Sequence, residues 1–170
     1  MKVHSFAPIA DASACVLILG SMPGRASLRA QQYYAHPQNS FWKLMDEVVG
    51  IDAGIPYLER VALLRERRIA LWDVLRSCTR TSSLDSDIVE ASIVVNDFDE
   101  FFRTHPKVRA VCFNGAKAET TYRRRVLPSL PEFAHLQLSR LPSTSPANAS
   151  IPYAKKRAAW QLVGSLAGVG

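Results

Sequence analysis

The chain has no run of 18 apolar residues in its 170, so no segment is expected to cross a membrane. Its first 20 residues, MKVHSFAPIADASACVLILG, lack the apolar core and small-residue cleavage site of a signal peptide, and an intracellular protein is expected. Cysteine is sparse: Cys15, Cys78 and Cys112 stand far apart, each inside an apolar segment. That spacing fits neither a zinc site nor an iron–sulfur cluster, and the odd count argues against a disulfide framework. The three read as small buried hydrophobes. His4, His105 and His135 are scattered, so no metal site and no cofactor are expected. Phosphate-cradling signatures are missing too. The stretch GSMPGRASL at 20–28 has neither the GxxxxGK of a Walker loop nor the GxGxxG of a dinucleotide fold.

What is present is the composition of a soluble globular protein, 48% hydrophobic and 21% charged, with enough chain to bury a core unaided. One domain over 1–170 is expected. The 21 Lys and Arg against 15 Asp and Glu give a net charge of +6 and a pI near 9.5, which suits a nucleic-acid partner. The basic clusters RERR (65–68), RRR (123–125) and KKR (155–157) fall on or beside helices and read equally well as solvated faces.

Four short apolar runs have strand character: CVLILG (15–20), IALWDVL (69–75), VRAVCFNG (108–115) and FAHLQLS (133–139). The first three are nearly continuous in apolar residues, as central parallel strands covered on both faces should be. Between them, helices are predicted at 40–50, 56–68, 96–106 and 115–128, with a closing helix at 151–168. Ser40 is a candidate N-cap for the first of these, whose stripe holds Phe41, Leu44, Met45, Val48 and Val49. The alternation predicts an α/β fold, a three-layer α/β/α sandwich around a mostly parallel four-stranded sheet. Residues 21–39 and 140–150 are left as loops after strands, where the ligand crevice of an open parallel sheet lies.

The first loop begins GSMPG, in which Gly20 and Gly24 permit close approach and Pro23 stiffens the turn. It continues QQYYAHPQNSFW (31–42). Tyr33, Tyr34, Phe41 and Trp42 should mostly be core, with one free to stack on a planar ligand. The late loop, SRLPSTSPANAS (139–150), joins rigid prolines to Ser143, Thr144, Ser145 and Asn148, a composition suited to a phosphate backbone.

A G-x-x-P-G turn after the first strand, then H-P-x-N-x-F-W, then a P-S-containing loop after the last strand together resemble the uracil-DNA glycosylase superfamily. GSMPGRASL, YYAHPQNSFW and LPSTSPANA most resemble its hypoxanthine-DNA (deoxyinosine) glycosylase branch. The resemblance runs from Val16 to the closing helix. It implies a uracil-DNA glycosylase-like fold and a glycosylase of base-excision repair that removes deaminated bases, chiefly hypoxanthine, from damaged DNA with the base flipped out. No lysine lies in the three motifs to form a Schiff base, so a monofunctional enzyme is implied, expected as a monomer. Uracil or mismatch removal, or a lesion-binding module without catalysis, remain as alternatives.

The resemblance also implies site residues. Relatives carry Asp or Asn just before the motif proline to position water; Met22 stands there, and Asn39 is the polar side chain expected to take over. Phe41 matches the stacking aromatic, with Trp42 or Tyr34 as alternatives. The backbone from Gly20 through Ser21, Met22 and Pro23 to Gly24 should line the base pocket. Asp73 falls where uracil-excising relatives place an asparagine that reads the base; it either accepts from N1–H of hypoxanthine or pairs with Arg76 or Arg80. Asn114 is a second candidate reader. The histidine that many relatives have in the last loop is missing, with Leu141 in its neighbourhood, which leaves oxyanion stabilisation to backbone amides or to Ser143, Thr144 and Ser145. Ser145, Pro146, Ala147 and Asn148 are expected to insert at the flipped position and hold phosphates. Lys155, Lys156 and Arg157 should add salt-dependent affinity. His36 reads as an orienting residue.

Overall fold

A computed structural model describes residues 1–169. Its centre is a parallel four-stranded sheet of β2 (Val16–Gly20), β3 (Ile69–Asp73), β6 (Ala110–Asn114) and β7 (Gln137–Leu141) in the order β3-β2-β6-β7. Alternation along the inner strands divides the core. Leu17 and Leu19 join Trp72, Phe113 and the aromatics of α4 (Phe98–Thr104) on one face. Val16 and Ile18 join Cys112 and the buried stripes of α2 (Phe41–Val49) and α6 (Tyr153–Ala167) on the other. With α3 (Tyr57–Glu66) beside α2 and α5 (Ala116–Thr121) after β6, the expected α/β/α layers are present. Cys15, Cys78 and Cys112 are buried free thiols.

Several boundaries differ from expectation, each for a local reason. The run at 69–75 breaks at Val74, whose N–H donates to the Gly20 carbonyl at 2.8 Å. The chain resumes as β4 (Leu75–Thr79) in a separate antiparallel sheet, between β1 (Lys2–His4) and β5 (Val94–Val95). The loop at 21–39 contains α1 (Arg25–Ala30), which buries only Ser27 and so has no apolar stripe to announce it. The helix expected at 115–128 is α5 followed by a π-helical turn at Tyr122–Val126. The last strand is displaced to 137–141 because Pro131–Phe133 forms a 3-10 turn. Ser40 occupies the N-cap position of α2 without capping it through its side chain.

Strand order reverses between β2 and β6, and the crevice outside the carboxyl ends at such a reversal is where open α/β sheets bind ligands. Here those ends are Gly20 and Asn114, with Asp73 and Leu141 at the ends of the flanking strands.

Candidate active site

A cavity of about 780 Å³ opens at these strand ends. Gly20, Ser21, Met22 and Gly24 supply one side of it, Asn39 and Tyr34 another, and Asn114 with residues 141–148 a third. The three sequence segments thus converge, although up to 128 residues separate Gly20 from Asn148.

Hydrogen bonds fix the loops to one another. The Thr144 N–H donates to Oδ1 of Asn114 at 2.9 Å, and Nδ2 of Asn114 donates to Oγ1 of Thr144 at 2.9 Å. The N–H of Ser40 donates to the Thr144 carbonyl at 3.1 Å. Oδ1 of Asn39 accepts from the N–H of Phe41 at 3.0 Å, so the Asn39 side chain, not Ser40, closes the start of α2. An amide oxygen has two lone pairs, and this bond leaves one for a second donor. Nδ1 of His36, also at the cavity, accepts from the Gln38 N–H at 3.1 Å. Oγ of Ser145 accepts from the Ala147 N–H, and Nδ2 of Asn148 donates to the Ser143 carbonyl, both at 3.2 Å. The loop is therefore a set turn.

Five expected site residues lie elsewhere. Phe41 is fully buried and does not line the cavity, because Tyr34 covers it with ring centroids 4.2 Å apart and planes 26° from parallel. Tyr34 is the aromatic on the wall. Pro23 is buried behind the turn, its carbonyl accepting from the Arg80 guanidinium. Asp73 sits behind Gly20 rather than on the cavity surface. Lys156 is only 6% exposed, since consecutive helical residues point about 100° apart and one of the KKR triplet must turn inward. Lys155 is exposed on α6 but outside the cavity lining. Thr144 touches the cavity, but it is 1% exposed and its hydroxyl is engaged by Asn114, which suits a structural role better than a phosphate contact.

Gly20 has a steric reason to be glycine. A Cβ there would lie 2.6 Å from Oδ1 of Asp73 and 2.9 Å from the Tyr34 hydroxyl. Both groups are buried: among the described residues Oδ2 of Asp73 has no hydrogen-bond partner, and the Tyr34 hydroxyl has none in full bonding geometry, with the Asn114 side chain beside it. Asp73 forms no ion pair with Arg76 or Arg80 among the described residues. Burial, then the charge of Asp85, push its carboxyl up to about 7 against a smaller opposing pull from Arg80. Burial, then the Asp73 charge, likewise push the Tyr34 phenol up against a smaller opposing pull from the Asn114 amide. The site thus holds a carboxyl pushed up toward neutrality beside a phenol that keeps its proton.

A model of the uracil DNA glycosylase superfamily matches residues 7–164, which include every residue lining the cavity. The chain belongs to the uracil DNA glycosylase superfamily. Within it, the chain is 38% identical over 138 residues to a hypoxanthine DNA glycosylase of Methanosarcina acetivorans, covering 76% of this chain and 86% of that protein. It is 39% identical over 119 residues to a hypoxanthine DNA glycosylase of Methanosarcina barkeri, covering 69% and 74%. The solution NMR structure of a Methanosarcina acetivorans protein studied as a candidate uracil DNA glycosylase superposes with a TM-score of 0.83 at 34% identity, covering 99% of both chains. The uracil DNA glycosylase-like fold expected from the three motifs is thereby established.

Sequence reasoning missed the turn at 83–86, which also lines the cavity and in which Oδ1 of Asp85 accepts from Oγ of Ser21 at 2.6 Å. The only available signal was a Ser/Asp-rich stretch, TSSLDSD, after a strand. The basic rim is Arg25 and Arg140, neither of which belongs to the clusters read from sequence.

Proposed function

We propose that this chain is a monofunctional DNA glycosylase that hydrolyses the N-glycosidic bond of deoxyinosine and releases hypoxanthine. One observation carries the reading. Asn39, the polar residue of the HPQNSFW segment, lies on the wall of a cavity that also takes in the GSMPG turn and the PSTSPAN loop. The two Methanosarcina relatives named as hypoxanthine DNA glycosylases support it over most of the chain.

The cavity accepts a base taken out of the duplex, a step whose unstacking cost is smallest for a mispaired base. The C1′–N9 bond then breaks through an oxocarbenium-like sugar. Met22 is buried at 7% exposure, and its thioether cannot direct a water. Asn39 takes that part. Its carbonyl, anchored by the Phe41 N–H, offers its remaining lone pair to the water that adds to C1′. The electrons of the broken bond move onto the purine, which takes up the proton the water sheds on bonding to C1′ and leaves more readily when its oxygen and ring nitrogens meet N–H donors of the Gly20–Gly24 backbone. Tyr34 provides the stacking face.

Base choice follows from the locked amide of Asn114. Thr144 fixes Oδ1 as the acceptor of its own N–H, so the second N–H of Nδ2, on the side of the Tyr34 hydroxyl, is the donor the amide has left to offer a base. A donor at that position suits the keto oxygen of hypoxanthine and opposes the amino group of adenine. Asp73, behind Gly20, acts on Tyr34 and not on the base. Action as a monomer on intracellular DNA completes the reading.

The experiment is base release from matched oligonucleotides carrying deoxyinosine, deoxyuridine, deoxyxanthosine or deoxyadenosine, read as strand scission after alkali. The expected order puts inosine first and adenine at background. Release confined to uracil would replace this reading with the uracil-directed one. Binding to abasic DNA without release of any base would identify a lesion-binding module.

A further inference from the structure

Asp85 is the one acidic side chain that lines the cavity among the described residues. Arg25 and Arg140 border the same cavity, yet Asp85 forms an ion pair with neither, nor with any other described cation. What holds it is a neutral group. The hydroxyl of the buried Ser21 donates to its Oδ1 at 2.6 Å, which ties the 83–86 turn to the GSMPG segment. A carboxylate accepts at two oxygens, and this bond uses one. The turn itself is set: the Arg25 N–H donates to Oγ of Ser83 at 2.9 Å, the Leu84 N–H to Oγ of Ser82 at 3.0 Å, and the Ile88 N–H to the Asp85 carbonyl at 3.2 Å.

An unpaired negative charge at this place works against binding, because it repels the phosphates of the substrate. Tethering Ser21 does not require it, since an amide oxygen would accept the same hydroxyl without the charge. The charge is also felt across the cavity wall: after burial, it raises the Asp73 carboxyl, and it adds a last, smaller push to the Tyr34 phenol after burial and Asp73. A fixed anion beside a bound nucleoside favours whatever turns positive there, at no cost of reorganisation. In N-glycoside hydrolysis that is the sugar. We propose that Asp85 is a second catalytic residue, the anion that stabilises the positive charge developing on the deoxyribose as C1′–N9 breaks. This rests on the glycosylase reading and divides its labour: Asn39 directs the water and Asp85 steadies the sugar. The bonding pair goes to the purine and the proton of the water follows it, so Asp85 forms no bond and keeps its charge throughout.

The test separates binding from turnover in wild type, Asp85→Asn and Glu100→Gln, the last an exposed acid on α4 outside the cavity lining. Asparagine keeps an acceptor for Ser21 and removes the charge. The probes are two duplexes in which a cationic pyrrolidine or an uncharged tetrahydrofuran replaces the deoxyribose, compared at one ionic strength. Wild type and Glu100→Gln are expected to bind the pyrrolidine duplex about tenfold or more tighter than the tetrahydrofuran one. Asp85→Asn should lose that preference while binding the tetrahydrofuran duplex as tightly as wild type or tighter, and its single-turnover release of hypoxanthine should fall about tenfold or more. No preference in wild type, a preference retained by Asp85→Asn, or unchanged release by that variant overturns the assignment. Equal weakening on both duplexes overturns it too, because it would leave Asp85 only the task of holding Ser21. Failure of wild type to release any base would defeat the glycosylase reading instead, and the pyrrolidine preference, read without turnover, still decides whether Asp85 faces a cation in the cavity.

Discussion

Asn114, the last residue of β6, and Thr144, three residues past the end of β7, hold each other through two hydrogen bonds of 2.9 Å, one of them from backbone. The pair sets the position of the last loop and fixes which way the Asn114 amide presents its free N–H. Thr144 is almost fully buried, so no water replaces what its hydroxyl supplies.

Thr144→Val keeps the shape and the backbone bond but removes the acceptor for Nδ2. Stability is expected to fall by about 1–2 kcal/mol, the usual cost of an unsatisfied buried donor. Discrimination between inosine and adenine should narrow at the same time, because the amide is then free to turn. Urea midpoints and paired base-release rates check both. An unchanged midpoint would mean that Asn114 finds another acceptor.

Tyr34 stacks over Phe41 and carries a buried hydroxyl with no partner in full bonding geometry among the described residues. Tyr34→Phe is therefore expected to leave base release intact and to hold or raise stability by up to about 1 kcal/mol, since an unpaired buried hydroxyl only costs desolvation. Tyr34→Ala should lose release about tenfold or more through the missing stacking face, which alanine scanning values at about 1–3 kcal/mol per base. A large stability loss in Tyr34→Phe, measured by denaturant unfolding, would show that the hydroxyl is bonded.

Asp73 predicts a pH dependence of folding. Its carboxyl is raised from 3.8 to about 7 by burial first and by Asp85 second, while Arg80 pulls the other way and the neighbouring Tyr34 hydroxyl stays neutral. Between those values the native state keeps a proton that the unfolded chain has released. Its favourable share of stability is full below about pH 4, falls as pH rises through 7, and is flat above. Asp73→Asn should remove that slope and be relatively more stable at pH 8. Urea midpoints for both proteins at pH 5, 6, 7 and 8 decide it, and parallel slopes would place the proton elsewhere.

The parallel strands were legible because residues such as Val16–Leu19 are buried on both faces and must be apolar throughout. The two site loops, 21–39 and 140–150, were legible because they follow strands, where an open parallel sheet builds its crevice. Packing decided the rest. Nothing in YYAHPQNSFW says that Tyr34 would cover Phe41, since both are aromatics near one helix start. Strands of two and three residues, β5 and β1, owe their existence to pairing with β4 and leave no periodic trace. The Ser21–Asp85 bond spans 64 residues, and Lys156 turns inward only because of where α6 packs.

Asn39 is the centre of the account, and the most direct measurement is single-turnover release of hypoxanthine from a deoxyinosine duplex by wild type and Asn39→Ala. The variant also loses its bond to the Phe41 N–H, worth about 1 kcal/mol as a helix-start contact, so its urea midpoint is measured alongside to show that it is folded. Release by wild type with a loss of about a hundredfold or more in folded Asn39→Ala is the predicted result. Equal rates in the two proteins would contradict it and move the positioning of water to another group.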